Sequence, residues 1–174
     1  PEGGKVQVDA LVEKVAQCQR FQEVLKVHLF DTEEIDEVTR DLGHKLRLWR
    51  AMSAWQGQME VWMESPYDAL APAKLEREVG GYWAALQACM EGLPGNQAAL
   101  KFRGLVEEFQ LTIPVMADLQ CAALHERHWA AIHTALGFEI KGVDGITLGE
   151  LVDKHAMKAA ATIGSVTAQA THEE

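Results

Sequence analysis

Glu33–Pro66 reads EEIDEVTRDLGHKLRLWRAMSAWQGQMEVWMESP. Val38, Leu42, Trp49, Met52, Met59 and Met63 step along it at four and three residues, with Lys45 and Gln56 at two further seam positions. A second row, Leu48, Trp55 and Trp62, recurs once per heptad beside the first. Together they predict a helix with an apolar face wider than a coiled-coil seam requires. At 1.5 Å per residue, Glu33 to Glu64 spans about 48 Å. Ser65-Pro66 ends it, because the residue before proline is driven out of helical geometry.

Helical signals continue on both sides. Upstream, Asp9 is placed to cap a first helix whose stripe is Leu11, Val15, Cys18, Leu25 and Leu29. Asp31 with Glu34 forms a capping-box-like start for the long helix. Downstream, Pro72 opens a third helix with the stripe Leu75, Val79, Trp83, Leu86 and Met90. Gly80-Gly81 weakens it by about 1 kcal/mol per glycine and would permit a kink or close packing. Gly92-Leu93-Pro94-Gly95-Asn96 is a loop, and Asn96 caps a fourth helix directing Leu100, Phe102, Leu105, Val106, Phe109 and Ile113 inward.

Pro114 forces a kink or a new helix start. Gly137 closes the helix that carries His128 and Trp129. Phe138–Gly145 is the one extended loop or strand candidate. Thr147-Leu148-Gly149-Glu150 is a capping box opening a last helical region, with a break expected near Gly164. The fold class is therefore all-α: an elongated bundle of about six or seven helices.

Composition narrows function. The 174 residues suffice for a real core, and 48% hydrophobic with 24% charged residues is ordinary for a globular chain. The net charge of −10 opposes a general nucleic-acid binder, which needs a basic surface against phosphate. No apolar run is long enough to span a bilayer. Cys18, Cys89 and Cys121 are scattered and odd in number, which reads as reduced thiols without a disulfide framework. The chain opens at Pro1 without Met and closes mid-pattern at Glu173-Glu174, as a piece of something longer would.

Catalytic motifs are weak. The Gly92–Asn96 loop follows a helix and lacks the Lys-Ser/Thr that a phosphate-binding loop uses. His125 and His128 stand three apart, one short of the zinc-protease spacing, with Arg127 placing positive charge beside them; His133 lies five further on. Solvated or capping histidines explain them better. Cys121 and His125 are one turn apart, but nothing marks an oxyanion hole beside them. Glu33-Glu34 and Glu107-Glu108 read as solvated faces, the latter within reach of Arg103 or Lys101. No residue is assigned a catalytic, cofactor or metal role. The tryptophan rows read first as core, and in part as a docking face for another element, since one long helix with two such rows overloads a small bundle.

Four pieces in order carry a resemblance. Leu48-Trp49, Trp55, Trp62 and Ser65-Pro66-Tyr67 form the first. Phe102 through Leu119, with Pro114, forms the second. Glu126-Arg127-His128-Trp129, with Ile132 and Gly137, is the third and most specific. Thr147-Leu148-Gly149-Glu150-Leu151, then Ile163, Val166, Ala170 and Glu173, is the fourth. Over residues 40–174 the chain resembles the N-terminal linker region of dynein heavy chains, with tryptophan spacing closer to axonemal than cytoplasmic dyneins. It departs at Ala122-Ala123, where the family often has Asn-Pro, and at Thr171-His172.

The resemblance implies a neck-like segment over 1–40 and a linker-type region over 41–174. It implies a mechanical arm lying across the AAA+ ring of the same heavy chain, which bends and straightens as the ring uses ATP and Mg. Partners would be that ring, dynein intermediate or light chains and neighbouring dynein subunits. Microtubules would be met only through another domain, and the setting would be the axoneme of a cilium or, alternatively, the cytoplasm. Structural and docking roles would fall to Trp49, Trp55, Trp62, Pro66, Pro114, Arg127, His128 and Trp129. The competing expectation is a non-motor helical scaffold for light chains or a calmodulin-like partner, against which the acidic charge counts.

Overall fold

The computed structural model describes residues 2–28, 32–140 and 145–173. Among these residues it is all-α, as expected. The helices are α1 (Glu2–Leu25), α2 (Glu33–Glu64), α3 (Pro72–Gly92), α4 (Gln97–Gln110), α5 (Thr112–Leu119), α6 (Glu126–Leu136), α7 (Leu148–Asp153) and α8 (Ala160–Glu173). Short 3-10 turns lie at Tyr67–Ala69 and Ala156–Ala159. The last region therefore breaks at Lys154–Ala159 and not at Gly164, which sits inside α8. The chain turns there because His155 takes a left-handed conformation, φ 57°.

Two apolar clusters organise the chain. The first joins α2, α3 and α4 around Leu48, Trp55, Trp62, Leu86, Phe102 and Phe109. Leu48, Trp55 and Trp62 are 1%, 4% and 3% exposed, so the heptad row is the true seam. Trp49, from the other row, is 53% exposed. Leu100 and Leu105, expected inside, also face out, because the Phe102–Val106–Phe109 stripe is the face of α4 that meets the core. Asn96 caps α4 as expected, its side-chain oxygen accepting from Ala98 and Ala99 N–H at 3.0 and 3.1 Å. Gly80 and Gly81 face outward without close packing; a Cβ at either would meet nothing within 4 Å.

The second cluster joins the end of α5 with α6, α7 and α8 around Leu119, Trp129, Ile132, Ile140, Leu151 and Ile163. Pro114 stands at the third position of α5, where its missing N–H costs no intrahelical bond. It thus starts a new helix directly after α4. Thr147 and Glu150 complete the predicted capping box at 3.2 and 3.0 Å. Of the 138–145 loop, residues 141–144 lie outside the described residues; the isolated bridge among the described residues falls just after it, Thr147 with Pro66.

The N-terminal arm departs most from expectation. α1 already begins at Glu2, so Asp9 is interior to it and pairs with Lys5 at 3.3 Å. Leu29 and Asp31 lie outside the described residues, and Thr32 stands at the N-cap of α2 without a side-chain capping bond. Leu11 and Leu25 are exposed; among the described residues α1 packs mainly on α2.

The two clusters are tied at three places. Ser65–Tyr67 runs beside Ile146–Leu148, with Tyr67 N–H donating to Ile146 O at 3.1 Å and Leu148 N–H to Ser65 O at 3.0 Å. Gln120 Nε2 donates to the carbonyls of Tyr67 and Leu70 at 2.5 and 2.9 Å. Gly149 brings α7 so close to α2 that a Cβ there would lie 2.9 Å from Met63 O. Backbone cannot yield as a side-chain tip can. Gly149→Ala is therefore expected to cost about 1–3 kcal/mol in urea unfolding, as overpacking does; an unchanged midpoint would mean the contact is looser than described.

Candidate functional site

The expected docking residues fall into two constellations. The first is aromatic. Trp55 lies edge-on to Trp62, Tyr82, Phe102 and Phe109, with centroids 5.9, 5.2, 5.8 and 5.7 Å away. Trp62 stacks on Phe109 at 5.0 Å and 10°. Both tryptophans are buried in the core. Trp49 alone of the three keeps an open face. Pro66 begins the bridged stretch beside Thr147.

The second constellation joins the start of α6 to the end of α8. His128 is 4% exposed, although Glu126 and Arg127 just before it face solvent. Its Nδ1 accepts from His125 N–H at 3.2 Å, satisfying one orphan donor of the helix N-terminus. A neutral ring accepting at Nδ1 carries its proton on Nε2, which faces Glu173 Oε2 at 3.1 Å and donates to it. Arg127 Nη2 binds the same carboxylate oxygen, and Gln169 Nε2 donates to the other at 2.9 Å. Arg127 Nε also stands 3.2 Å from His128 Nε2, but in this tautomer that contact joins two donors and contributes no bond.

Gln169 first, then Arg127 and His128, hold the Glu173 carboxyl below its ordinary value against a desolvation that opposes them. A carboxylate depressed in the folded state stabilises it above the ordinary carboxylate range, and loses that effect as pH falls through the depressed value. Glu173→Gln is therefore expected to lower the melting temperature at pH 7, and the gap from the parent chain should close on acidification toward pH 3. A gap independent of pH would remove the charge from the explanation.

Trp129 packs into the second cluster at 9% exposure, its ring 5.7 Å from His133. His133 Nε2 in turn accepts from Ile140 N–H at 3.2 Å, fastening the segment after α6. Gly137, at φ 78°, provides the left-handed turn between them. The histidines thus serve as capping and fastening groups: His125 and His128 stack at 5.9 Å, and both nitrogens of His128 are engaged within the protein. Among the described residues no three His, Cys, Asp or Glu side chains gather to hold a metal. Cys89 is buried, and desolvation pushes its thiol up against the opposing pull of Arg47. Cys121 is half-buried, its Sγ facing Thr171 at 3.8 Å. The Glu107 carboxylate pairs with Arg103 at 2.8 Å.

Arg127, His128 and Trp129 are brought together on one helix, the first two fastened to Glu173 and the third packed in the second cluster, in the spacing that carried the family resemblance. The profile described as "Dynein heavy chain, N-terminal region 2" matches residues 35–174. The chain belongs to the dynein heavy chain family. It is 29% identical to human "Dynein axonemal heavy chain 6" over 164 residues, 94% of this chain. It is 21% identical to human "Dynein axonemal heavy chain 1" over 149 residues, 83% of this chain. A pig relative, "Dynein axonemal heavy chain 11", is 19% identical over 167 residues. The chain spans about 4% of the length of these dynein relatives. No helix among the described residues is long and apolar enough to cross a membrane.

Sequence reasoning left Gln120 out of this dynein segment's ties. Its signal was faint: a lone glutamine between Leu119 and Cys121, whose partners are backbone carbonyls fifty residues upstream. Glu173 was visible in the motif, but its pairing with Arg127 across the sequence was not.

Proposed function

We propose that this chain is a stiff segment of a dynein heavy chain's linker, a lever that carries changes in the AAA+ ring into the working stroke. Membership of the dynein N-terminal region over residues 35–174 is the observation that supports it. The physical character of the segment agrees: two cores tied by backbone pairing, the Gln120 clamp and the Gly149 contact resist bending between them. On this reading the chain contributes no catalytic residue, and ATP and Mg belong to the ring elsewhere in the heavy chain. Its partners are that ring and other dynein subunits, microtubules are engaged through another domain, and its setting is the axoneme. α1 and the start of α2, through residue 40, act as the neck-like lead into the lever.

The test loosens the lever without touching a nucleotide site. In the full heavy chain, Gln120→Ala combined with Glu173→Lys is expected to slow microtubule gliding severalfold while basal ATP hydrolysis is retained. Unchanged gliding, or gliding and hydrolysis lost together, would contradict a purely mechanical role.

A further inference from the structure

We propose that the groove between α2 and α4 seats a fourth helix, antiparallel to both, supplied by the same heavy chain from outside residues 1–174. The groove opens on Trp49, Met52, Met59, Phe102 and Leu105 with a volume of about 580 Å³. It continues past Met63 and Glu108 to Val152 as a second hollow of about 230 Å³. No α3 residue lines either part. Trp55 meets Phe102 and Trp62 meets Phe109, so α2 and α4 run in parallel and leave the fourth corner of a bundle empty. From Trp49 to Met63 the groove is about 21 Å long, roughly four helical turns. Methionine and tryptophan walls suit an amphipathic helix with apolar residues at three- and four-residue steps.

Charge sets the direction. One turn before Trp49 and Leu105 stand Lys45, already paired with Asp41 at 2.7 Å, and Lys101, so Lys101 carries the polarity of that end of the groove. Glu108 lines the other end, and Glu60 stands one turn beyond Gln56 on the same face of α2. An incoming helix carries partial positive charge at its N-terminus and negative charge at its C-terminus. Its N-terminus therefore belongs beside Glu60 and Glu108, and its C-terminus beside Lys45 and Lys101. The exposed α1 of a second copy is a poor occupant, because Arg20 and Lys26 outweigh Glu23 at its C-terminal end, against those lysines.

Length argues for the source. The dynein relatives match 83–94% of this chain but extend it about twenty-five-fold, since the match is 4% of their length. A groove this shallow holds a free peptide weakly, whereas a tethered helix arrives at high effective concentration.

Hydroxyl-radical footprinting, resolved by residue in a mass spectrometer, tests this on the full heavy chain without other subunits and on residues 1–174, the latter first shown to be folded by a cooperative urea transition and by protection of Trp55 and Trp62. Oxidation of Trp49, Met52 and Met59 should fall severalfold in the heavy chain. Lys101→Glu should restore it there and leave the 1–174 chain unchanged. Equal oxidation in the two chains would overturn the proposal. So would protection that appears only with other polypeptides bound, or that grows with the concentration of residues 1–174. Indifference to Lys101→Glu would overturn the antiparallel seating.

Discussion

Trp55→Ala is expected to remove about 3–5 kcal/mol from the unfolding free energy, the range for deleting a buried aromatic. The side chain is 4% exposed and touches rings from three helices: Trp62 on α2, Tyr82 on α3, and Phe102 and Phe109 on α4. Its loss leaves a cavity that no single neighbour can fill, and forfeits edge-to-face contacts worth about 0.5–1.5 kcal/mol each beyond area. Against a domain stability of about 5–15 kcal/mol, most of the α2–α3–α4 lobe should then melt at moderate temperature. Trp49→Ala, six residues earlier with an open face, is the control and should cost little. Urea unfolding of the two variants measures the contrast. Equal costs would mean that the wrong tryptophan row has been assigned to the core.

Trp129→Ala should cost about as much, roughly 3–5 kcal/mol, but in the other lobe. Its ring sits among the α6–α8 apolar residues and against His133, which fastens the segment at Ile140. Hydrogen exchange localises the effect. Amides of α6, α7 and α8 should lose protection while those of α3 and α4 largely keep theirs. Unchanged thermal stability would remove Trp129 as the residue that pins α6.

The helices were legible because their signals are local. Asn96, Thr147 with Glu150, Pro72 and Gly137 each act within one turn of their own position, and each does what its residue type dictates. The apolar face of α2 was legible for the same reason, but both rows looked alike in sequence, and only burial separates Leu48, Trp55 and Trp62 from Trp49. What stayed hidden depends on tertiary neighbours. Leu105 and Leu11 look like core residues in a periodic pattern, yet face outward. The break at His155 rests on one left-handed residue with no glycine to announce it. Arg127 and Glu173 are 46 residues apart, and only the packing of α6 on α8 makes them partners.

A lever must hold its shape while the ring beneath it changes. Spin labels on the exposed faces of α3 and α8, at Gln87 and Ala168 each replaced by a ketone-bearing residue that is labelled without touching the native thiols, report the distance across the Gln120 and Gly149 ties. Double electron–electron resonance on the full heavy chain should give one narrow distance distribution, the same without nucleotide, with ADP and with an ATP analogue. A distribution that broadens, splits or shifts between those states would contradict the account, because the segment would then bend within itself.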